Sequence, residues 1–426
     1  MADFQRAHST KVTKPDVPHR YLSWVGQKDP LHIARARKEA AAEYQKAELP
    51  TRVGHVWKHV NPAVFVPDVN ELPPDNRFME SHERGDRNEV QFLVGSDLFV
   101  SLTDEAVTKG VQVGDLSDAS ARIGTVVSVK DGFFEAMNQW LWSSGIYLRV
   151  PAGVRLADPI SLRINTDARY PFVRIFVHVE DGASATILEH ISSSSQHGAT
   201  VMIAEVDVGE NAVLHHGVMY GQDAPDVLHY SHGASIRENG TMRLIAATSG
   251  NGRLKADFSG RLAGRRAHSD IRTFAMVDDR TRIDFHTRQH HIAPQSTSDM
   301  KSRSVLLDRA VSSNTGLIRI EESARDCEAY QIARNLMLSK RAEATAIPEL
   351  EIENNDVVCS HGAATGTLDK EQLFYLMSRG LSKAEAIQLI VEGTLHELLS
   401  GFSPDVAQFI EEAHEPLWEK LSARQE

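Results

Sequence analysis

Three self-similar segments decide the fold: EDGASATILEH at residues 180–190, GENAVLHHG at 209–217 and ENGTMRLIA at 238–246. Each places small or charged turn residues directly before a run of alternating apolar and polar residues, which is typical of a short strand. The pattern recurs farther along as LAGRRAHSDI, LDRAVSSNTG and SKRAEATAIP (residues 262–271, 307–316 and 339–348). So many short, regularly spaced strands need a closed or stacked architecture.

The spacing of the turns favours stacking. Taking Gly182, Gly209, Gly240 and Gly264 as markers, the separations are 27, 31 and 24 residues, close to one coil of a β solenoid. In a solenoid each coil buries its inward residues against its neighbours, so strands too short to stand alone become stable. We therefore predict a mainly β fold, a parallel β-helix. A β-sandwich is the competing architecture, but it would show more hairpin turns of the Asn-Gly kind.

The region before the solenoid reads as helical. Residues 29–49, DPLHIARARKEAAAEYQKAEL, are rich in Ala, Lys, Arg and Glu, which favour a helix. Pro50 ends it, and the prolines that follow, up to Pro74, disfavour another long helix. We predict a small helical domain over residues 1–95.

Strand-like segments then begin and continue to the end of a predicted solenoid at residues 96–365. The first are DLFVSL, RIGTVVSV, GIYLRV and PISLRI (97–102, 122–129, 145–150 and 159–164). Each alternates apolar and polar residues.

Helices return in a predicted C-terminal domain at residues 366–426. Asp369 is placed to cap the first, and Ser382 with Glu385 forms a capping box for the second. Ser403, followed by proline, begins a last helix that we expect to run toward Leu421.

Composition excludes several classes of function. With 46 basic and 58 acidic side chains the net charge is −12, which repels a nucleic-acid backbone. No apolar run approaches the roughly 18 residues of a membrane span, and the first 14 residues lack the apolar centre of a secretory signal. Two cysteines cannot form a disulfide framework. We expect a cytoplasmic protein that binds neither nucleic acid nor membrane.

The usual enzymatic motifs do not occur: no phosphate-binding loop, no nucleophile elbow, no H-E-x-x-H and no C-x-x-C. The competing hypothesis is a solenoid carbohydrate-active enzyme, which would need paired carboxylates on one face and usually a secretory signal. Neither is evident.

Histidine is abundant, with 20 in all. His229 and His232 point to opposite faces of a strand, and so do the adjacent His215 and His216, because side chains alternate along a strand. His286 and one other histidine four residues later can share a face, but no thiolate or carboxylate stands beside them in the sequence.

Cys359 and His361 are the sharpest candidates for chemistry. In an extended segment they face the same side, and thiolate with imidazole suits iron, zinc or an iron–sulfur cluster. Two ligands leave the coordination sphere half filled, so the others must come from elsewhere, most simply from a second subunit. The alternative is a small buried thiol beside a hydrogen-bonded histidine. Cys327 has no such neighbour and is expected to be structural.

Several segments of the chain resemble the SufB/SufD family of scaffold proteins of the SUF iron–sulfur cluster assembly system. The resemblance rests on RNLMLS, PELEI, DVVCSHGAATGTLD and LFYLMSRGLS (334–339, 348–352, 356–369 and 373–382) and, upstream, on LPTRVGHVWKH and GIYLRVPAGVRLADPI (49–59 and 145–160). The family's SufB type is expected to carry a thiol in the β-helix that passes sulfur along. This chain has no cysteine from Gly145 to Asp326, and its C-S-H-G string also favours the SufD type.

The resemblance implies a helical domain, a right-handed parallel β-helix and a second helical domain. It implies pairing with a SufB-like scaffold subunit, with a second copy of the chain as the alternative, and docking of a SufC-like ABC ATPase. The chain itself would be no enzyme and bind no nucleotide, while an iron–sulfur cluster or iron would be held transiently and shared with the partner.

The resemblance also directs attention to two surfaces. The C-terminal helices would expose an apolar strip to the ATPase, with Phe374, Leu376, Ile387 and Ile390 as candidates. The open edge at residues 348–358 would pair with the second scaffold, with Leu350 and Ile352 on its packed side. His361, more than Cys359, would be the ligand offered to the shared site.

Overall fold

A computed structural model gives the architecture of the chain. It describes residues 14, 29–52, 55–69, 78–118, 123–167, 169–193, 198–221, 223–415 and 418. The helices are α1 (Leu31–Lys46), α2 (Asp104–Thr108), α3 (Phe133–Leu141), α4 (Lys370–Ser378), α5 (Lys383–Leu399) and α6 (Pro404–Glu412). Short 3-10 helices lie at His55–Trp57, Pro62–Phe65 and Leu116–Asp118.

The strands are β1 (Met79–Arg84), β2 (Asn88–Leu93), β3 (Asp97–Leu102), β4 (Gln112–Asp115), β5 (Ser144–Val150), β6 (Ile160–Thr166), β7 (Phe172–Val179), β8 (Ser184–Ser193), β9 (Ala199–Val208), β10 (Val213–Tyr220), β11 (Val227–Ile236), β12 (Thr241–Thr248), β13 (Arg253–Leu262), β14 (His268–Val277), β15 (Arg282–His291), β16 (Thr297–Leu306), β17 (Val311–Ile320), β18 (Cys327–Met337), β19 (Glu343–Ile352) and β20 (Val357–Thr367).

The strands form two sheets that wind into a β solenoid of about eight turns, so the predicted fold class is confirmed. Within the described residues, sheet A has 11 strands in the order β1-β3-β2-β6-β8-β10-β12-β14-β16-β18-β20. Sheet B has nine, in the order β19-β17-β15-β13-β11-β9-β7-β5-β4. From β8 onward, strands paired in sheet A repeat every 27 to 31 residues.

One corner of the solenoid consists of residues with a left-handed backbone. Gly182, Asn211 and Asn239 have φ of 69°, 55° and 54°, a conformation that glycine and asparagine tolerate best. The Gly182 N–H donates to Glu210 O at 2.7 Å and the Asn211 N–H to Glu238 O at 2.9 Å, one coil farther on. These three positions are equivalent, whereas the marker glycines lie at different points of their coils. That is why the marker separations are uneven.

The interior of the solenoid is a continuous apolar core, and a separate layer covers the outer face of each sheet. Helices α1 and α3 pack their aromatic side chains on sheet B, against Phe172, Phe176 and Val201. Helices α5 and α6 pack on sheet A, where the apolar contact includes Met219, Ile245, Phe274, Met276 and Val305.

Polar contacts fix the ends of the C-terminal helices. The Arg272 guanidinium donates to the carbonyls of Leu398 and Ser400 at the end of α5, where the helix dipole favours a cation. The first turn of α6 is held by His215 Nδ1, which accepts from the Ser403 N–H at 3.0 Å. The helices predicted from Asp369, Ser382 and Ser403 all begin at these caps. The last helix ends at Glu412, and Leu421 lies outside the described residues.

The N-terminal region differs from the prediction of a helical domain over residues 1–95. Helix α1 is present, but β1 and β2 also lie in this range, and β2 pairs with β6 of the solenoid. The alternation of Val90 and Phe92, both fully buried, is that of a strand with one buried face.

Residues 123–129, within the predicted strand RIGTVVSV, form turns and bends instead. The buried Glu205 carboxylate accepts the N–H groups of Gly124, Val126 and Val127 at 2.8, 3.0 and 3.2 Å. Helix α3 follows, inside the range of residues 96–365 that was predicted to be solenoid. A side chain 80 residues away thus takes the donors that a sheet would have used.

No helix in the described ranges is long and apolar enough to span a membrane.

Candidate functional site

Cys359 and His361 lie on β20, the edge strand of sheet A, whose one partner among the described strands is β18. The register places Cys359 opposite Ala329 and His361 opposite Gln331. Because the segment is extended, the side chains of Cys359 and His361 point to the same face of the strand. In the preceding coil the residues at the corresponding positions, Ala329 and Gln331, are buried. At the last coil that face is left open.

The Cys359 thiol is half-buried and packs against the solenoid core. Burial raises its pKa above the ordinary value, and the nearby Cys327 acts in the same direction. The thiol therefore stays protonated at neutral pH, which is unlike the lowered pKa of reactive or metal-binding cysteines.

Cys327 itself is buried, and its Sγ lies 3.2 Å from Ser296 Oγ. It begins β18, so both cysteines of the chain belong to the final coils of the solenoid.

His361 is exposed. It also borders a groove of about 510 Å³ on the outer side of sheet A, with Asp299, Lys301, Tyr330 and Ser360 among its other lining residues. Among the described residues, no group of three or more His, Cys, Asp or Glu side chains is placed to hold a metal ion.

At its C-terminal end, and among the residues that the structure describes, the solenoid has two free edges instead of one. The sequence predicts a single edge over residues 348–358, but β19 closes sheet B and β20 closes sheet A, with a turn at residues 353–356 between them. Leu350 packs partly against the chain's own core, while Ile352 is 41% exposed.

The four residues predicted to form an apolar strip on the C-terminal helices differ in their exposure to solvent. Phe374 is 74% exposed and Leu376 and Ile390 are half-buried, but Ile387 is 2% exposed. Ile387 faces the solenoid as part of the apolar contact under α5, so it is not available to a partner. The prediction was wrong for this residue because helix periodicity does not say which face meets the chain's own sheet.

Two exposed residues of α4, Tyr375 and Met377, were missed by the prediction. They are 55% and 42% exposed, and α4 buries none of its side chains. Both lie in the apolar run LFYLM at residues 373–377. That run is the sequence signal that could have indicated them.

The histidines divide between the two faces as the strand period predicts. His216 and His232 lie inside, where His216 Nε2 is 3.2 Å from Glu189 Oε2. His229 lies outside, under the N-terminal layer. His286 is paired with Asp257 at 3.4 Å, a partner from the adjacent strand that spacing along the sequence does not reveal.

Comparison with known proteins identifies the family. The model described as "SUF system FeS cluster assembly, SufBD core domain" matches residues 162–394, more than half of the chain. The iron-sulfur cluster assembly protein SufD of Bacillus subtilis (strain 168) is 26% identical over 413 residues, which cover 91% of this chain and 94% of that protein. The protein of the same name from Escherichia coli (strain K12) is 29% identical over 369 residues, 82% of this chain and 84% of that protein.

The matched residues run from β6 through most of α5 and so include both free edges, Cys359 and His361. The chain belongs to the SufBD core family of the SUF iron–sulfur cluster assembly system.

Proposed function

We propose that this chain is a SufD-type scaffold subunit that supports cluster assembly in the cytoplasm without turnover of its own. The observation that carries the proposal is the coincidence of two free sheet edges with an exposed imidazole at one end of the solenoid. An edge strand presents unpaired backbone groups that a second chain can pair with. Metal-ligating side chains of that second chain would then lie close to His361.

The partner at this end is a SufB-like scaffold, which continues both sheets beyond β19 and β20. Ile352, 41% exposed on β19, and Val358, 57% exposed on β20, are the apolar residues that such a partner would cover. Leu350 contributes only its exposed part.

The shared site takes iron or an iron–sulfur cluster as cargo. Neutral imidazole ligates iron without first losing a proton, whereas the Cys359 thiol must ionise against its raised pKa. His361 is therefore the ligand this chain offers, and the remaining donors belong to the partner.

A SufC-like ABC ATPase docks on α4, which packs on α5 but buries none of its own side chains. Phe374 and Tyr375 are the anchor residues, because large exposed aromatic side chains dominate many interfaces. Nucleotide binds to the ATPase and not to this chain.

Co-purification from the native host, with an affinity tag on this chain, tests the assignment. We expect an ABC ATPase and a second SufBD-family scaffold in stoichiometric amounts. Recovery of the chain with neither would contradict the proposal. A stable dimer of the purified chain, measured by light scattering, would instead favour the self-sufficient homodimer.

A further inference from the structure

The last coil of the solenoid carries formal charge of one sign. Residues 343–367, which form β19, the turn after it and β20, contain no lysine or arginine. The same residues include five carboxylates, at Glu343, Glu349, Glu351, Glu353 and Asp356. Four of these residues are exposed and Glu349 is half-buried. The proposed function assigns none of them a role.

Four of the carboxylates surround the exposed apolar side chains of this end, Ile352 and Val358. Glu351 and Glu353 flank Ile352 directly, and Asp356 stands two residues before Val358. Glu349 and Glu351 alternate with inward residues of β19, so they lie on the outer face of that edge strand. We call Glu349, Glu351, Glu353 and Asp356 the acidic rim. An apolar centre inside a polar rim is the usual composition of a protein–protein interface.

One neighbouring cation offsets the acidic rim in part. Arg319, on β17, lies opposite Glu351 in the register of sheet B. Its Nη2 is 3.2 Å from Glu321 Oε1 and 3.6 Å from Glu353 Oε1, so the guanidinium is already divided between two carboxylates. The basic residues at 340–341 stand before β19, at the other end of that strand.

The turn of the preceding coil adds to the negative charge. It lies directly beneath the last turn, because the Asp326 N–H donates to Asp356 O at 2.8 Å and Asn354 Nδ2 donates to Glu322 O at 2.6 Å. Residues 321–326 carry three carboxylates and one arginine. Two stacked acidic turns therefore form one corner of the open end.

A second copy of this chain would not complement that corner. Neither β19 nor β20 has a lysine or arginine, so end-to-end pairing brings no cation to the acidic rim, whichever edge strand pairs. The other end of the solenoid has β1 and β4 as its edges. The one arginine of those two strands, Arg84, is paired with Asp104 at 2.7 Å. Like charges facing each other across an interface disfavour association.

From this distribution of charge we propose that the acidic rim selects the occupant of the open end. The occupant is a second solenoid of the same family whose pairing strands carry lysine or arginine beside β19 and the turn at residues 353–356, and not a second copy of this chain. Side chains directly opposite on paired strands have Cβ atoms about 5 Å apart, so such cations would pair with Glu349 and Glu351. The inference rests on the proposed function, which places a scaffold at these edges.

The salt dependence of association tests the selection. The full-length chain is mixed with the second scaffold recovered by co-purification, and binding rates are measured by biolayer interferometry from about 0.05 to about 0.5 M NaCl, which shortens the Debye length about threefold. We expect the association rate constant to fall at least about tenfold, as for electrostatically steered pairs. The double variant Glu351→Lys, Glu353→Lys should associate at least about tenfold more slowly at low salt and lose most of the salt dependence.

The matched control is the double variant Glu210→Lys, Glu238→Lys, which makes the same change of charge at two exposed turn residues. Glu238 follows β11, four strand spacings of about 4.8 Å before β19. That separation exceeds the Debye length of about 10 Å at 0.1 M salt, so the control should associate at the normal rate. Light scattering of the purified wild-type chain at low salt should give a monomer.

The possible failures are distinguishable. Association that is independent of salt and unchanged by the acidic-rim variant would refute selection by charge while leaving the scaffold function in place. A wild-type dimer at low salt, as tight as the pair with the second scaffold, would make a second copy the occupant and overturn the inference. If the scaffold bound at no salt concentration, the proposed function and this inference would both be wrong.

Discussion

At the scale of single residues, substitutions at His361 and Cys359 test which of the two is the ligand. We expect His361→Ala to lower the activity of iron–sulfur enzymes in cells by about tenfold, in the range seen when metal sites are disturbed. Cys359→Ser should have a milder effect, because burial keeps that thiol protonated. Enzyme assays in a strain whose only copy is the variant provide the measurement.

The control for His361→Ala is Ser360→Ala, on the opposite face of β20. Both variants should still co-purify with the partners. Full enzyme activity with His361→Ala, in an intact complex, would reduce this residue to a packing role.

A second residue-level prediction concerns Glu205, which organises the loop before α3. Its carboxylate accepts from three backbone N–H groups and pairs with Arg174 at 2.8 Å, both side chains being about 1% exposed. Glu205→Gln should lower the free energy of unfolding by roughly 3 kcal/mol, because it leaves a buried guanidinium without its counter-charge. Urea unfolding measures the loss. Asp207→Asn, which affects a partly exposed pair with Arg237, should cost clearly less.

At the scale of elements, α4 is the predicted ATPase contact. Phe374→Asp should weaken ATPase binding by about thirtyfold, since removing a hot-spot side chain costs about 2 kcal/mol. The circular dichroism spectrum should not change, because Phe374 is 74% exposed. Phe99→Asp, at a 45% exposed phenylalanine of β3, is the matched control and should bind normally. Binding that survives deletion of residues 368–426 would refute the location.

The two edge strands give a separate test of scaffold pairing. In the isolated chain, the free backbone N–H groups of β19 and β20 should exchange with solvent quickly. In the complex with the second scaffold their exchange should slow by at least an order of magnitude, since sheet hydrogen bonds protect amides. Hydrogen exchange of free and bound chain measures this, with β11 and β13 as internal references. Rapid exchange of both edges in the intact complex would rule out pairing there.

At the scale of the whole molecule, buried neutral histidines set the response to acid. Burial lowers the pKa of His291 and of His414 from the ordinary 6.5 to about 4. Burial and the Arg243 charge also lower the pKa of His215, the residue that accepts from the start of α6. The unfolded chain therefore binds more protons than the folded one below pH 6.5.

The free energy of unfolding should accordingly be highest above pH 6.5 and fall as the pH drops toward 4. The loss is on the order of 3 kcal/mol each for His291 and His414. Urea titrations between pH 7.5 and 4 measure it, and His414→Gln should flatten the curve. Stability that rose on acidification over this range would contradict the expectation.

Much of this architecture was readable in the sequence because its determinants are local. Strand alternation and the recurrence of turns predicted the solenoid, and the caps at Asp369, Ser382 and Ser403 located three helices. The period of two correctly assigned His229 and His232 to opposite faces and Cys359 and His361 to one. These features depend on residues within a turn or two of one another, so the sequence carries them directly.

Only the tertiary structure decided which long-range partners these elements meet. Glu205 converts residues 123–129 from a predicted strand into a loop, Ile387 turns toward the solenoid, and His229 lies beneath Trp57. Each outcome depends on contacts between residues about 80 to 170 positions apart. Burial, charge pairing and backbone hydrogen bonds compete across such distances. A local pattern fixes the conformation of a segment, but the balance of these contacts fixes which face is buried.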